Sequence, residues 1–323
     1  FIMTFNQHAF TPTLDSTYNI LSSLGNALEY DLKNLIENDI DYDSNEPPIL
    51  NHSFYYNDDH LIEELKTNNN NNSFSILSLN CQSLNAKFAQ LQIYTELLRQ
   101  HGCSFDMICL QETWLDSDSD LGLLQLNDYN LISKGKSCSL HGGLAIYLKS
   151  SHNYELYQPE FVSDIWEGQF IEIKFRSANI PNISLINLYR PPRDISANYI
   201  KFTDELLQVL SRFQQSSKTC IICGDFNIDL LKVNRKPLFH DHISSLISQG
   251  FLPKISFPTR FTERNGTLID NFLCKCPQSL ELSSGILTSQ ISDHQPYFLC
   301  LKLNEMHEDK EKYKTIIVRP DNF

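Results

Sequence analysis

Residues 220–228 read Cys220-Ile221-Ile222-Cys223-Gly224-Asp225-Phe226-Asn227-Ile228. The apolar run Cys220–Cys223 has the length and composition of a strand buried on both faces. It breaks at Gly224, and Asp225 and Asn227 follow two residues apart. If extended geometry persists, that spacing puts both side chains on one side of the backbone. A carboxylate and a carboxamide at the end of a core strand are a workable pair. The first takes a proton and the second donates a hydrogen bond. Gly, Asp and Asn are also ordinary turn formers, so the segment alone reads first as a strand ending in a turn.

Upstream of it the same texture recurs. Phe74–Leu79 is a strand candidate that ends in Asn80-Cys81-Gln82-Ser83. Phe88, Leu91, Tyr94 and Leu98 then recur at helical spacing, which predicts an amphipathic helix over Lys87–Gln100 and a stop at Gly102. Phe105–Leu110 is a second buried strand, with Gln111-Glu112-Thr113-Trp114 at its exit. Asp116–Asp120 reads as an acidic loop. Gly142–Leu148 reads as a turn into a strand, Gln169–Phe175 alternates as another, and Ser184–Leu188 ends in Tyr189-Arg190-Pro191-Pro192. Tyr199, Phe202, Leu206, Leu210 and Phe213 form a helical stripe, which is core packing.

Downstream, Pro237–Ser248 reads as a helix and Thr267–Leu273 as a strand holding Asp270. Gly285–Leu287 leads into Ser292-Asp293-His294-Gln295-Pro296, and Tyr297–Leu303 is the last strand. Five strand ends therefore carry polar groups: Asn80, Glu112, Tyr189, Asp225 with Asn227, and Asp293 with His294. In α/β folds strand exits are where ligands bind. Five such ends predict one pocket at one edge of the core, rich in carboxylates and amides that suit a hard cation and a phosphate. Mg²⁺ prefers oxygen ligands and is usually held by one or two carboxylates plus substrate oxygens. No histidine-rich or thiolate cluster points to zinc.

Composition limits the alternatives. The chain has 323 residues, 41% hydrophobic and 11% aromatic, enough for a substantial core. No apolar run approaches the roughly 18 residues of a membrane span. There is no signal-peptide pattern and no initial Met, so the sequence is expected to begin inside a longer protein. The nine cysteines are an odd number, scattered, and often inside apolar runs, which favours reduced, buried thiols in an intracellular protein. Cys220 and Cys223 have no second pair at finger spacing, and on a strand they point to opposite faces.

The net charge of −13 is uneven. Residues 1–73 hold 12 acidic and 2 basic side chains, a balance of −10, against 27 acidic and 24 basic in residues 74–323, a balance of −3. Most of the acidity lies in one segment, so the rest is not barred from nucleic acid. Residues 1–73, with low hydrophobicity and the Asn68–Asn72 run, are expected to be a mostly disordered arm, although Leu21–Ile40 has some helical spacing. The domain boundary is then expected near Ser73, the folded domain at 74–303, and a charged exit linker at 304–323. No internal repeat is evident.

Taken in order, Leu79-Asn80, Leu110-Gln111-Glu112-Thr113, Asn187-Leu188-Tyr189-Arg190-Pro191-Pro192, Gly224-Asp225-Phe226-Asn227 and Ser292-Asp293-His294 resemble the endonuclease/exonuclease/phosphatase superfamily. Tyr-Arg-Pro-Pro more narrowly resembles the apurinic-type endonuclease domain of non-LTR (LINE-like) retrotransposons. The resemblance spans about 74–303. It implies an α/β fold, a four-layer α/β sandwich with two mixed β-sheets packed face to face and helices on the outside. It implies a Mg²⁺-dependent (or Mn²⁺-dependent) DNA endonuclease that nicks a double-stranded target, leaving a 3′-hydroxyl and a 5′-phosphate. The 3′-hydroxyl would prime reverse transcription of the element's RNA. The chain would then be part of a longer polyprotein with a reverse transcriptase, made in the cytoplasm and acting in the nucleus, without a membrane partner. There is no clear basic cluster of the nuclear-import kind.

The resemblance also implies roles. Glu112 matches the principal metal ligand, with Asn80 beside it on metal or phosphate, and Asp293 assisting the metal. Asp225 matches the group that orients or deprotonates the attacking water, and Asn227 holds it and the phosphate. Tyr189 matches a tyrosine on the scissile phosphate. His294 would hydrogen-bond a phosphate oxygen, with Asp270 orienting its ring, and Thr259 matches a threonine near the DNA surface. Arg190, Arg193, Arg260 and Arg264 are candidate DNA contacts. These roles suit phosphodiester hydrolysis, which builds negative charge that a cation, imidazolium and amides stabilise.

One departure matters. Repair-type members carry an acidic residue two after the first-motif Asn, and here it is Gln82, which argues against a dedicated abasic-site repair enzyme. Two alternatives stay open: a phosphoesterase on lipid or inositol substrates, and a non-catalytic nucleic-acid-binding remnant of the same fold.

Overall fold

The computed structural model describes residues 53–68, 73–137, 141–159, 163–175, 180–192, 195–213, 219–262, 265–277, 279–289 and 291–303. In chain order, β1 (Tyr55–Tyr56) and α1 (Asp58–Asn68) precede β2 (Ser73–Asn80), α2 (Leu84–Gln100) and β3 (Met107–Gln111). Next come β4 (Tyr129–Lys134), β5 (Leu144–Lys149), β6 (Asn153–Tyr157) and β7 (Glu167–Lys174). A second strand–helix–strand unit follows as β8 (Ile183–Tyr189), α3 (Ser196–Phe213) and β9 (Thr219–Asp225). The chain closes with α4 (Pro237–Ser248), β10 (Leu252–Pro253), a small ribbon of β11 (Arg260–Phe261) and β12 (Gly266–Thr267), then β13 (Asp270–Lys275), β14 (Glu281–Leu287) and β15 (Tyr297–Lys302).

Two mixed sheets result, in the orders β1-β14-β15-β2-β3-β5-β4 and β10-β13-β9-β8-β7-β6. The parallel pairs β2–β3 and β8–β9 lie in the interior of their sheets. Because each is a strand–helix–strand unit, both members of a pair run the same way and their C-terminal ends share one edge. Apolar stripes seat the helices. Leu84, Leu91 and Leu98 of α2 join the cluster on the outer face of the first sheet. Tyr199, Phe202, Leu206 and Leu210 of α3, with Phe239, Ile243 and Ile247 of α4, cover the second sheet. The expected four-layer α/β sandwich is the fold observed.

Alternation along the central strands positions the site. Facing the layer between the sheets, β2 presents Phe74, Ile76, Ser78 and Asn80, while Leu77 and Leu79 face outward. Likewise β3 presents Met107, Cys109 and Gln111, β8 presents Leu185, Asn187 and Tyr189, and β9 presents Ile221, Cys223 and Asp225. Each inward row runs from apolar to polar toward the same edge. The polar level is tied together: Gln111 Nε2 donates to Asn187 Oδ1 (2.6 Å) and to Ser78 Oγ (3.1 Å), bridging the two sheets. The Tyr297 hydroxyl accepts from Ser78 Oγ (2.9 Å) and from the Gly224 N–H (2.9 Å). Antiparallel pairing brings Asp270 opposite Asp225, and Tyr297 opposite Ser78, so both late strands start at the site edge.

Three expectations change. The boundary expected near Ser73 falls inside the folded body. β1 pairs with β14, and Leu61, Ile62 and Leu65 of α1 are buried in the outer cluster of the first sheet. Their helical spacing is masked in the sequence by Asp58, Asp59, Glu63 and Glu64 around them. Residues 1–52, Leu21–Ile40 and the exit segment 304–323 lie outside the described residues. The strand that holds Cys220–Cys223 does not break at Gly224 but continues to Asp225. Strands β4 and β6, at the sheet edges, have no counterpart in the sequence reading.

The eight cysteines among the described residues are free thiols, seven of them buried. No helix of the described residues is long and apolar enough to cross a membrane.

Candidate active site

Asp225 ends β9 completely buried, at the top of the layer between the sheets. Its Oδ2 accepts from Asn80 Nδ2 at 2.9 Å, and its Oδ1 accepts from the Asn227 backbone N–H at 2.9 Å. The same Asn80 amide donates to Glu112 Oε1 at 2.8 Å. One carboxamide therefore spans the two carboxylates that the sequence singles out. Asn80 Oδ1 is turned to the Gln82 backbone N–H at 3.3 Å. In this arrangement Asn80 positions carboxylates, and its oxygen faces away from them.

On the other side of Asp225 stands His294. Its Nε2 lies 4.0 Å from Asp225 Oδ2, and its Nδ1 lies 2.9 Å from Asp270 Oδ2. The hydroxyl of Thr259 donates to Asp270 Oδ2 at 2.7 Å. Thr259, expected near a DNA surface, is fully buried and holds Asp270 instead. Asp270 lies opposite Asp225 in the β13–β9 ladder. The loop before β15 is pinned by Ser292 Oγ, which donates to the Asn80 carbonyl at 2.7 Å and accepts from the His294 N–H at 3.0 Å. This delivers His294 into the site.

The electrostatics follow from burial and proximity. Burial by itself pulls the His294 imidazole down, but Asp270 and then Asp225 outweigh it and push it up to about 9. Burial, reinforced by the Asp270 carboxylate, pushes Asp225 up to about 7, against the opposing pull of His294 and the Asn80 hydrogen bond. The result is a protonated imidazole between two acids, one of which titrates near neutrality. That is where a general base is most effective.

Among the described residues, five of the six non-glycine residues with positive φ surround this cluster: Gln82 (46°), Ser83 (86°), Glu112 (50°), Trp114 (58°) and Asn227 (48°). Left-handed backbone at such residues is strained and concentrates at functional sites. It also separates Asn227 from Asp225. The expected shared side is lost past the strand end, and Asn227 Nδ2 donates to the Arg190 carbonyl at 2.7 Å.

The remaining predicted residues divide. Tyr189 ends β8 beside Asp225 and is buried. Arg190, a candidate DNA contact, is a core residue. Its guanidinium lies 4.1 Å from the centroid of the Tyr199 ring, and Nη1 donates to the Phe226 and Asn227 carbonyls at 3.3 Å each. Its donors are met by the turn after β9, and its plane by an aromatic face, so it is withdrawn from the surface. Arg260 is half-buried at the mouth. Its Nε and Nη2 both meet Asp293 Oδ2, at 2.9 and 2.8 Å. Asp293, read as a metal assistant, is thus paired with a cation, and its buried Oδ1, without a hydrogen-bond partner, lies 4.0 Å from His294 Nε2. Arg193 and Arg264 lie outside the described residues.

A model of the endonuclease/exonuclease/phosphatase family matches residues 77–294, which contain every group of this cluster. The chain belongs to the endonuclease/exonuclease/phosphatase family. A sequence search of curated proteins finds no match. Similar solved structures include AP endonuclease LMAP from Leishmania major, at 14% identity over 72% of this chain and 88% of that one, with a TM-score of 0.58. The catalytic domain of Xenopus laevis APE2 matches at 19% identity over 73% and 94%, with a TM-score of 0.55. The endonuclease domain of TRAS1, a telomere-specific non-LTR retrotransposon, matches at 15% identity over 72% and 99%, with a TM-score of 0.53. At these identities the likeness carries the fold.

Within this family member, two groups of residues bear on a cation. Asp225, Asp270 and His294 offer ligand atoms all within 4.8 Å of one another. His294 Nδ1 is committed to Asp270, and the two flanking carboxylates favour the charged ring, in which Nε2 carries a proton in place of a lone pair. Glu112 is different. It is partly exposed, and each of its oxygens receives a single N–H, from Asn80 and from Trp114 Nε1 (3.3 Å). A carboxylate has about four lone-pair positions, so it keeps acceptor capacity beyond these two bonds. An oxygen donor of this kind suits Mg²⁺ or Mn²⁺.

Sequence reasoning gave no role to Gln111, Asn187, Tyr297 or Trp114. Gln111 and Asn187 were detectable as polar residues in inward register on otherwise apolar strands. Tyr297, a hydroxyl on an apolar strand, left no comparable signal.

Proposed function

We propose that the protein is a divalent-metal-dependent DNA endonuclease that nicks one strand of a double-stranded target, leaving a 3′-hydroxyl and a 5′-phosphate. We further propose that it serves a retrotransposon whose polyprotein also carries a reverse transcriptase, with the new 3′-hydroxyl priming reverse transcription in the nucleus. The single observation that carries the hydrolytic reading is the row Glu112–Asn80–Asp225–His294–Asp270, buried from Asn80 onward, in which one amide links two carboxylates and an imidazolium joins two acids. The Tyr189-Arg190-Pro191-Pro192 motif and the fold shared with the TRAS1 domain support the narrower reading.

Asp225 takes the proton of the attacking water, whose oxygen bonds to phosphorus as the P–O3′ bond breaks, and the departing O3′ takes a proton from solvent to become the 3′-hydroxyl. Asn80 keeps Asp225 oriented toward that water. His294, charged because Asp270 and Asp225 flank it, donates a hydrogen bond to a phosphate oxygen as negative charge grows there. Glu112 would hold a Mg²⁺ or Mn²⁺, which would add stabilisation of that charge when bound. Arg260 extends cationic potential to the mouth, where a phosphate backbone arrives.

Incubation of the full chain with supercoiled plasmid and Mg²⁺ tests this. Conversion to open circles is expected, and is expected to disappear with EDTA and in Glu112→Ala and Asp225→Ala. An intact plasmid in the presence of folded protein rejects the nuclease reading, and turnover of small phosphoesters under the same conditions would favour the phosphoesterase alternative.

A further inference from the structure

Trp114 is half-buried and belongs to neither hydrophobic cluster of the molecule. Its backbone is in the left-handed region, with φ at 58°, an uncommon conformation for a bulky aromatic residue. Packing therefore does not explain why the ring is held as it is. The turn that holds it is secured from both sides. The N–H groups of Thr113 and Trp114 donate to the Gly143 and Gly142 carbonyls at 3.1 and 3.0 Å. The Glu112 and Thr113 carbonyls accept from Ser83 and Leu84 at 2.8 and 2.9 Å. Gly143 makes the close approach that this requires, since a Cβ there would lie 2.7 Å from Thr113 Oγ1. The turn closes the indole back over the side chain two residues earlier. Nε1 donates to Glu112 Oε2 at 3.3 Å, and the ring rests against His141, with centroids 5.0 Å apart.

We propose that Trp114 is a positioning residue for Glu112, its indole N–H fixing the carboxylate in the orientation in which it receives a divalent cation. The inference rests on the reading of Glu112 as the cation-bearing carboxylate. Asn80 and Trp114 hold one oxygen each, so the carboxylate plane is set by two donors on separate elements, the end of β2 and the turn after β3. Each oxygen keeps further acceptor capacity beside that one donor. Without the indole, Glu112 is held at one oxygen only and rotates about its last bond. Partners of this kind are worth about 10- to 100-fold in metal affinity.

Mn²⁺ titration of the full chain reads this without reference to turnover. Trp114 and Trp166 are the two tryptophans. Trp166 is buried beneath α3, with its N–H on Glu205 Oε2 at 2.9 Å. Paramagnetic Mn²⁺ at Glu112 is expected to quench Trp114 emission and leave the Trp166 component. By calorimetry, Glu112→Gln is expected to lose Mn²⁺ binding. Trp114→Phe, which keeps a ring but removes the donor, is expected to bind about 10-fold more weakly with its melting temperature unchanged. Unchanged affinity in Trp114→Phe, alongside lost binding in Glu112→Gln, overturns the role of Trp114 and leaves that of Glu112 standing. Binding that survives Glu112→Gln overturns both. If Trp114→Phe does not fold, the wild-type emission decides: a Trp114 component unquenched at saturating Mn²⁺ overturns the proposal.

Discussion

A single imidazole governs the charge state of the site. His294 is raised to about 9 because two carboxylates outweigh its burial, and Asp225 is raised to about 7 by burial and by Asp270. Nicking is therefore expected to follow a bell in pH. It rises through about 7 as Asp225 loses its proton, and falls through about 9 as His294 loses its own. A single-turnover pH–rate profile checks this, and a flat profile across that range contradicts it. The same His294 shift bears on stability. Its contribution is fully present below 6.5, the ordinary value, and is lost as pH rises through about 9. Asp270→Asn removes the largest favourable partner of the imidazolium. It is expected to lower nicking by about 100-fold or more and to move the alkaline limb to lower pH, measured on the same plasmid. An alkaline limb that stays in place would mean that Asp270 does not set the charge of His294. Asp225, Asp270 and His294 were legible as residues, but not their electrostatics, because burial and mutual distance are properties of the folded chain.

Among the elements, β9 repays close attention at Gly224. The sequence suggests a break there, since glycine is a turn former. In the structure it is the penultimate residue of a continuous strand, with φ at 144° and no room for a side chain. A Cβ would lie 1.8 Å from the Leu188 carbonyl oxygen of the parallel partner β8. Gly224 is thus required by close approach of two central strands, whose ends carry Tyr189 and Asp225. Gly224→Ala is expected to cost about 3 kcal/mol or more in stability, measured as a lower denaturant midpoint at unchanged slope. A variant as stable as the wild type would show that β8 and β9 separate at no cost. Helix α4 illustrates the opposite case. Its span, Pro237–Ser248, is the one expected from the sequence, and the proline at its start suits a first helical turn, where no backbone N–H is needed.

For the whole molecule, the order of layers decides where chemistry occurs. Two strand–helix–strand units, one in each sheet, present their strand ends at a common edge, and Gln111, Asn187 and Tyr297 lock the sheets together beneath it. The short segment before β2 belongs to this body. A truncation that starts at Ser73 uncovers the sheet surface under Leu61, Ile62 and Leu65. Relative to one that starts at Ser53, it is expected to lose about 3 kcal/mol once the ordering cost of α1 is subtracted. Thermal melting of the two forms checks this, and equal melting temperatures would show that α1 contributes no net stability. By itself the sequence determined the strand and helix periodicities, the polar strand exits and their order. Those depend on neighbours along the chain and survive in any reading of it. Only the tertiary structure decided that Thr259 holds Asp270, that Arg190 is buried under aromatic rings, that Asp293 is paired with Arg260, and that α1 is part of the core. Each of these depends on partners apart in sequence, such as Asp270 11 residues from Thr259 and Asp293 33 residues from Arg260, or on a competition between exposure and burial, and such contacts are closed only when the sheets pack.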